Sequence, residues 1–312
     1  MTASEAPARR ARVLCLGEAL VDLICERHVA SMTEADAFVP RAGGVVANVA
    51  MVAARAGAQV ALAGGAGEDS WGEWLREALR DAGVDVSLFG LVPGVATQLA
   101  FVTVDPRGEP AYTVHGDGLG AGRDAVMAAL GPRLVDAVAG SAALFLTSNT
   151  LVGAAERELT MHVRSVASEH GLPLIFDPNV RLHRWRSAAD AAASSNAVVP
   201  GALLVRVNEA EATLMTGEDD PERAALALVK AGARLVVITL GPDGVMLRGE
   251  LRADLDAVPA QVLSTMGAGD VFTGTLLARL ALSDFYPPAV AASLREAVQA
   301  AARACERWGA LD

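Results

Sequence analysis

Short apolar runs alternate with helix-period patterns along most of this chain, and that alternation restricts the fold more than any other feature. Residues 13–16 read as a strand, 45–56 as a helix and 60–63 as a strand. Residues 71–82 follow, with Trp71, Trp74, Leu75, Ala78 and Leu79 at helical spacing. Further strands are predicted at 143–146, 174–176, 203–207 and 235–239, and helices at 151–170, 209–215 and 221–231. Strands separated by helices over this length imply a mostly parallel sheet covered on both faces, an α/β fold. The stretch Ala191-Ala192-Ala193-Ser194-Ser195 reads as the end of a surface helix.

Two regions break the rhythm. Residues 98–105 and 111–115 flank Pro106-Arg107-Gly108-Glu109, a Gly-containing turn between β-prone runs. Residues 21–25 and 38–39 are strand-like with no helix between them. Together they predict a small β element projecting from the α/β body, placed to act as a lid over the carboxyl ends of the sheet strands.

The segment Ser264-Thr265-Met266-Gly267-Ala268-Gly269-Asp270 precedes an apolar helical pattern over 271–282. It reads as a tight turn opening a buried helix. Amides at such a start are unpaired and the macrodipole favours negative charge there. A turn of small residues lets an anion approach the backbone. Asp270 is an ordinary first-turn acid in one reading. In the other it takes the proton of a hydroxyl that attacks a phosphate.

Bulk properties exclude several classes. A length of 312 residues with 52% apolar content allows a full core. No apolar run approaches the roughly 18–20 residues of a membrane span. The net charge of −11 argues against a nucleic-acid partner, which needs a basic face. Cys15, Cys25 and Cys305 form no C-x-x-C pair and read as free thiols. His28, His115, His162, His170 and His183 are scattered singly and predict no His-based metal site. No Walker P-loop, Rossmann fingerprint or H-E-x-x-H motif is present. Residues 1–12 lack an apolar signal region, so residues 1–11 are expected to be a flexible tail and the protein cytoplasmic.

Other candidate site residues fall in loops after the predicted strands. Asp22 closes Gly17-Glu18-Ala19-Leu20-Val21-Asp22, and Gly43-Gly44 turns into a helix carrying Asn48. Both side chains suit hydroxyl groups, although Asn48 also fits a buried structural role. Asp177-Pro178-Asn179-Val180-Arg181 puts an acid, an amide and a guanidinium at one strand exit. Asn208-x-x-Glu211 matches a capping box, and Glu211 alternatively organises Mg²⁺ through water. Thr239-Leu240-Gly241-Pro242-Asp243-Gly244 leaves another strand, either lining a nucleotide pocket or making a plain hairpin.

Taken in order, Gly43-Gly44-x3-Asn48, Asp177-Pro178-Asn179-x-Arg181, Asn208-x-x-Glu211, Thr239-Leu240-Gly241-x-x-Gly244 and Gly267-Ala268-Gly269-Asp270 resemble the ribokinase/PfkB sugar kinases. Gly64-Gly65-Ala66-Gly67-Glu68-Asp69 with Gly72 adds to the resemblance, which runs from Val13 to about Ala310. Within the family, the segments at 17–22 and 177–181, with Trp185, look most like fructokinases and 2-keto-3-deoxygluconate kinases.

The resemblance implies a single α/β domain over residues 12–310, a three-layer α/β/α arrangement around a mostly parallel sheet. The small β-sheet lid would come from segments within about 18–42 and 96–118. It implies transfer of the γ-phosphoryl group of ATP, with Mg²⁺, to a hydroxyl of a ketose or keto-sugar acid. Asp270 would be the base, with Gly267, Ala268 and Gly269 the anion hole. Asp22, Gly43, Gly44, Asn48 and Arg181 would serve the sugar. Asn208, Glu211, Thr239, Gly241 and Gly244 would serve ATP, with Glu211 acting on Mg²⁺ through water.

A nucleoside or ribose kinase of the same family, and a non-catalytic sensor on the same fold, are the alternatives. Pairing of two copies through the lid is a further expectation. Two departures stand out. Ser264 occupies a position where the family usually has Asp beside a monovalent-cation site, which leaves K⁺ dependence open. Residues 112–120 lack the aromatic–Arg pair of many fructokinases, so sugar identity is weakly determined.

Overall fold

Val13, Leu14, Cys15 and Leu16 are all fully buried in strand β1 (Arg12–Leu16). Their side chains alternate across the sheet. Val13 and Cys15 join one hydrophobic core and Leu14 and Leu16 another, so β1 is covered on both faces. The computed structural model describes residues 12–115 and 121–311, with 121–127 and 132 described by backbone alone. The expected tail at 1–11 and lid residues 116–118 lie outside the described residues.

The first half of the chain continues with β2 (Leu20–His28), β3 (Val39–Gly43), α1 (Val45–Arg55), β4 (Gln59–Gly67), α2 (Ser70–Asp81) and β5 (Phe89–Val92). A hairpin of β6 (Leu99–Val104) and β7 (Pro110–His115) precedes α3 (Ala121–Ala139) and β8 (Ala143–Leu146). Then come α4 (Ala154–Glu169), β9 (Leu174–Phe176), α5 (Ala188–Asn196), β10 (Leu204–Asn208), α6 (Glu209–Thr216) and α7 (Pro221–Lys230). The chain ends with β11 (Leu235–Thr239), β12 (Val245–Gly249), β13 (Ala253–Leu255), α8 (Ala268–Leu282) and α9 (Pro288–Cys305).

Among the described residues two sheets form. The large one has nine strands in the order β13-β12-β11-β10-β9-β8-β1-β4-β5. It is parallel from β5 to β11, and β12 and β13 add as an antiparallel edge. Core residues of α1, α2, α8 and α9 cover one face. Those of α3 to α7 cover the other. This three-layer α/β/α arrangement matches the sequence pattern, because a parallel sheet needs apolar cover on both sides.

The small sheet has the order β3-β2-β6-β7. Its outer pairs are antiparallel and its central pair, β2 with β6, is parallel. The hairpin was legible from the turn at 106–109. The parallel β2–β6 pairing brings together segments far apart in sequence and has no local signal.

Helix starts follow ordinary capping chemistry. Asp69, Ser187, Asn208 and Asp220 accept amide hydrogen bonds at the starts of α2, α5, α6 and α7. Helix α8 differs: it is buried along almost its whole length, and no side chain caps it. It packs so closely on α1 that a Cβ at Gly274 would lie 2.6 Å from Val52 Cβ. Shortening the fully buried Leu277 to Ala would cost about 2–5 kcal/mol.

Residues 191–195 form the end of α5, as the sequence suggests, with Ala193 exposed and Ala191, Ser194 and Ser195 turned into the core. The small size of these buried residues lets the helix sit close to its neighbours. No helix among the described residues is long and apolar enough to cross a membrane.

Candidate active site

The strands of the large sheet end, on their carboxyl side, at the start of α8. Gly267 is the residue before that helix, in the left-handed region at φ 74°. A side chain there would also lie 2.2 Å from Ala310 Cβ, so both space and conformation require glycine. Ala268 opens the helix, its amide 3.4 Å from the Thr265 carbonyl. With no side chain at the cap, the Gly269 and Asp270 amides remain for a ligand, and the macrodipole favours an anion.

Asp270 stands in that first turn, 6% exposed. Its Oδ2 accepts a hydrogen bond from Asn48 Nδ2 at 2.8 Å. Burial pushes its carboxyl up to about 7; Asp177 adds to the rise, while Asn48, Arg181 and Arg206 oppose it. Asp22, on β2, is also raised to about 7, first by burial and then by the charge of Asp270, with Arg181 opposing. The Asp22 carboxylate lies so close over Gly43 that a Cβ at 43 would fall 2.0 Å from Oδ2. Gly44, at φ 94°, is the residue before α1 and starts the helix that carries Asn48.

These groups share one cavity of about 450 Å³. It is lined by Asp22, Gly44, Asn48, Arg181, Asn208, Gly267, Gly269 and Asp270 among others. The small sheet closes one side with Leu20, Ala100, Tyr112 and Val114. The turn of the β6–β7 hairpin is tied to the loop before α8, with Thr265 N donating to Gly108 O at 2.8 Å. Gly43 touches the cavity only through Asp22.

Of this centre, Arg206 was not singled out from sequence, whereas Asp177 and Asn179 fall in the strand-exit loop that was. Asn179 lines the cavity at φ 45°, buried, with Oδ1 lacking a partner among the described residues. Asn48 Oδ1 is likewise buried and without a partner among the described residues. Asp177 is fully buried and accepts from Thr273 Oγ1 at 2.6 Å and from Arg206 at 3.4 Å. Arg206 lines the cavity from the middle of β10. The signal available for it was a charged residue between two valines in an otherwise apolar strand.

Asn208 and Glu211 form the capping box that their spacing predicts. Glu211 Oε1 also accepts from Val180 N at 2.8 Å, and Oε2 from Asn208 N at 3.0 Å. Burial and Asp177 raise the Glu211 carboxyl, while Arg206 and these amides oppose the rise. Both oxygens are therefore engaged by backbone, and direct ligation of a metal by Glu211 does not fit. Among the described residues no group of three or more His, Cys, Asp or Glu is placed to hold a metal ion. The donor set fits an Mg²⁺ brought in by a polyphosphate and held by its oxygens and water.

Thr239, Gly241 and Gly244 do not line this cavity. Thr239 lies beside Asn208 in the β10–β11 register and accepts from Arg206 Nη2 at 2.7 Å. Gly241 and Gly244 bracket the turn into β12, at φ 56° and 98°. That turn borders a second cavity of about 340 Å³, lined by Leu240, Asp243, Val245, Pro259 and Arg295 among others. Thr239, Gly241 and Gly244 themselves line neither cavity; their loop reaches the second one through Leu240 and Asp243.

The arrangement has a basic carboxylate, an anion-receptive helix start and asparagine side chains in one enclosed space. That combination can hold a polyol, take its hydroxyl proton and stabilise charge on a transferring anion. Comparison with known proteins gives the family. The pattern of the pfkB family carbohydrate kinase matches residues 10–310. Fructokinase-1 of Oryza sativa subsp. japonica is 32% identical over 271 residues, covering 86% of this chain and 82% of that protein. A fructokinase from Vibrio cholerae O395, solved with fructose, ADP and calcium ion, superposes with a TM-score of 0.80 at 25% identity. It covers 97% of this chain and 95% of its own. A fructokinase from Xylella fastidiosa with bound ATP gives 0.78 at 25% identity, covering 96% and 94%.

Proposed function

This chain belongs to the pfkB family of carbohydrate kinases, and from that premise we propose that it transfers the γ-phosphoryl group of ATP to a hydroxyl of a ketose or keto-sugar acid. The observation that carries the proposal is the Asn48–Asp270 hydrogen bond at an uncapped helix start inside the 450 Å³ cavity. Relatives named fructokinase support a ketose, and the fructose- and ATP-bound neighbours support the two ligands.

Asp22, Asn48, Asn179 and Arg181 bind and orient the sugar, with Gly43 and Gly44 shaping that side. Asp270 accepts the proton of the attacking hydroxyl, a task suited to a carboxylate raised to about 7. The amides of Gly267, Ala268 and Gly269 hold the phosphoryl oxygens as charge develops on them. Asn208 lies on the phosphate side, and Thr239, Gly241 and Gly244 lead to the second cavity, which takes the nucleoside end of ATP. Mg²⁺, when bound, neutralises phosphate charge; Glu211 acts on it only through the loop and water it holds in place.

The small sheet is the lid. It covers the sugar, excludes water and limits ATP hydrolysis. Its face away from the cavity carries Phe38 and Phe101, in edge contact at 5.1 Å, and is where we place the pairing of two copies. The three free cysteines fit a cytoplasmic location. The test is a screen of the purified protein with ATP against fructose, 2-keto-3-deoxygluconate, ribose and adenosine, following ADP release. Turnover with one of the first two supports the proposal. Preference for ribose or adenosine, or binding without ADP release, contradicts it.

A further inference from the structure

Arg206 takes no part in the proton transfer or the sugar contacts described above. It sits in the centre of β10 between Val205 and Val207, which are fully buried in the core on one face of the sheet. Alternation sends Arg206 to the opposite face, toward α8, where its guanidinium lies 5.8 Å from the Phe272 ring centroid. A buried guanidinium is costly unless its donors are satisfied. Arg206 is 6% exposed, and protein acceptors use only part of its fork. Nη1 donates to Asp177 at a long 3.4 Å, Nη2 donates to Thr239 Oγ1 at 2.7 Å, and Nε has no partner among the described residues. Asp177 makes its shorter bond, 2.6 Å, to Thr273. Neutralising Asp177 is therefore an incomplete account of this arginine.

The position of the guanidinium supplies the rest. A Cβ built at Gly269 would lie 3.0 Å from Nη1 and 3.1 Å from Nη2, so the cation is pressed against the anion-hole residue that has no side chain. It lines the same cavity as Gly267, Gly269 and Asp270. Resting on the kinase reading above, we propose that Arg206 is a catalytic residue whose guanidinium faces the transferred phosphoryl group at Gly269 and offsets the charge that develops there. In the step, the sugar hydroxyl oxygen bonds to the γ-phosphorus. The bond to the bridging oxygen breaks, ADP leaves with the electron pair, and the hydroxyl proton goes to Asp270. Arg206 stays protonated throughout, as its basicity demands. The charges facing it are Asp177 after β9, Glu211 on α6 and Asp270 on α8, and its own charge opposes the rise in the last two.

The experiment compares wild type, Arg206→Lys and Arg206→Gln for kcat, sugar KM, pH profile and melting temperature. Arg206→Gln is expected to lower kcat at least about 100-fold, the scale of losing one charge-stabilising donor, with sugar KM changed less than about threefold. The acid limb of its pH profile moves to higher pH, because the cation near Asp270 is gone. Arg206→Lys, which keeps a point charge, recovers at least about tenfold of the loss. A purely structural arginine would lower melting temperature without moving the pH profile or kcat per folded molecule, and that result overturns the proposal. If Arg206→Gln does not fold, Arg206→Lys decides alone: a kcat and pH profile equal to wild type overturn the proposal, and a lowered kcat at unchanged sugar KM supports it. Wild type that phosphorylates no ketose or keto-sugar acid overturns the substrate reading instead, which is read before any variant.

Discussion

Asn48 on α1 and Asp270 on α8 are separated by 222 residues of chain and joined by a 2.8 Å hydrogen bond inside the cavity. The amide donates to the carboxylate and so favours its charged form against burial. Replacing Asn48 by Ala removes that support. The acid limb of kcat/KM should move to higher pH and kcat/KM at pH 7 should fall about tenfold, the worth of a charge-assisted hydrogen bond. An unchanged pH profile in Asn48→Ala would separate the two residues functionally.

Asp22 and Asp270 are each raised from the usual 3.8 to about 7. A base must be deprotonated to act, so kcat/KM should fall as pH drops through about 7. Stability runs the other way. A folded-state value above the unfolded one gives a contribution that is fully present below about 3.8 and is lost as pH rises through 7. Asp270→Asn, which removes a buried charge and keeps an acceptor for Asn48, should therefore melt at least about 2 °C higher than wild type at pH 8. The gap should shrink toward pH 4. Scanning calorimetry at the two pH values checks the sign.

Asn179 holds φ 45° while its side chain lines the cavity. Glycine adopts that backbone freely. Asn179→Gly should keep the melting temperature within a few degrees and raise sugar KM about tenfold through loss of one polar contact. Equal KM values would remove Asn179 from the sugar site.

Gly267 permits neither a side chain nor an ordinary φ. Gly267→Ala should cost ~1–3 kcal/mol in backbone strain alone. It should also lower kcat at least about 100-fold by displacing the first-turn amides. Denaturant melts and initial rates on the same sample test both halves.

Much of this was open to inspection in the sequence. The alternation of runs fixed the α/β layers because a strand buried on both faces must be nearly all apolar, as in β1. Asn208 and Glu211 were recognisable because a capping box is local. The small-residue turn Gly267 to Asp270 pointed to the site because a helix start receives anions, and the 177–181 loop because ligands gather at strand exits. What stayed hidden depends on distance in sequence. Arg206 meets Asp177 and Gly269 only after folding, and the positive φ and unpaired oxygen of Asn179, a residue of the strand-exit loop, show only in the fold. Similarly, the Thr239–Gly244 loop gave no sign that it faces a different cavity from Asp270.

Ser264 is fully buried and its Oγ accepts the Met266 amide at 3.1 Å. A neutral hydroxyl committed to its own turn gives a cation little to bind. Replacing KCl by choline chloride at constant ionic strength should change kcat less than about twofold, because no buried charge at this position needs a counter-ion. A larger loss, restored by K⁺, would show a cation site built from other groups.

Turnover and sugar affinity of Asp270→Asn, measured side by side, bear most directly on the mechanism. With the carboxylate gone and the Asn48 contact retained, kcat should fall at least about 1,000-fold, within the reach of general-base loss. The sugar dissociation constant from titration calorimetry should stay within about threefold, since the contacts that bind the ground state remain. Near-wild-type turnover in a folded Asp270→Asn protein would contradict the assignment of Asp270 as the base.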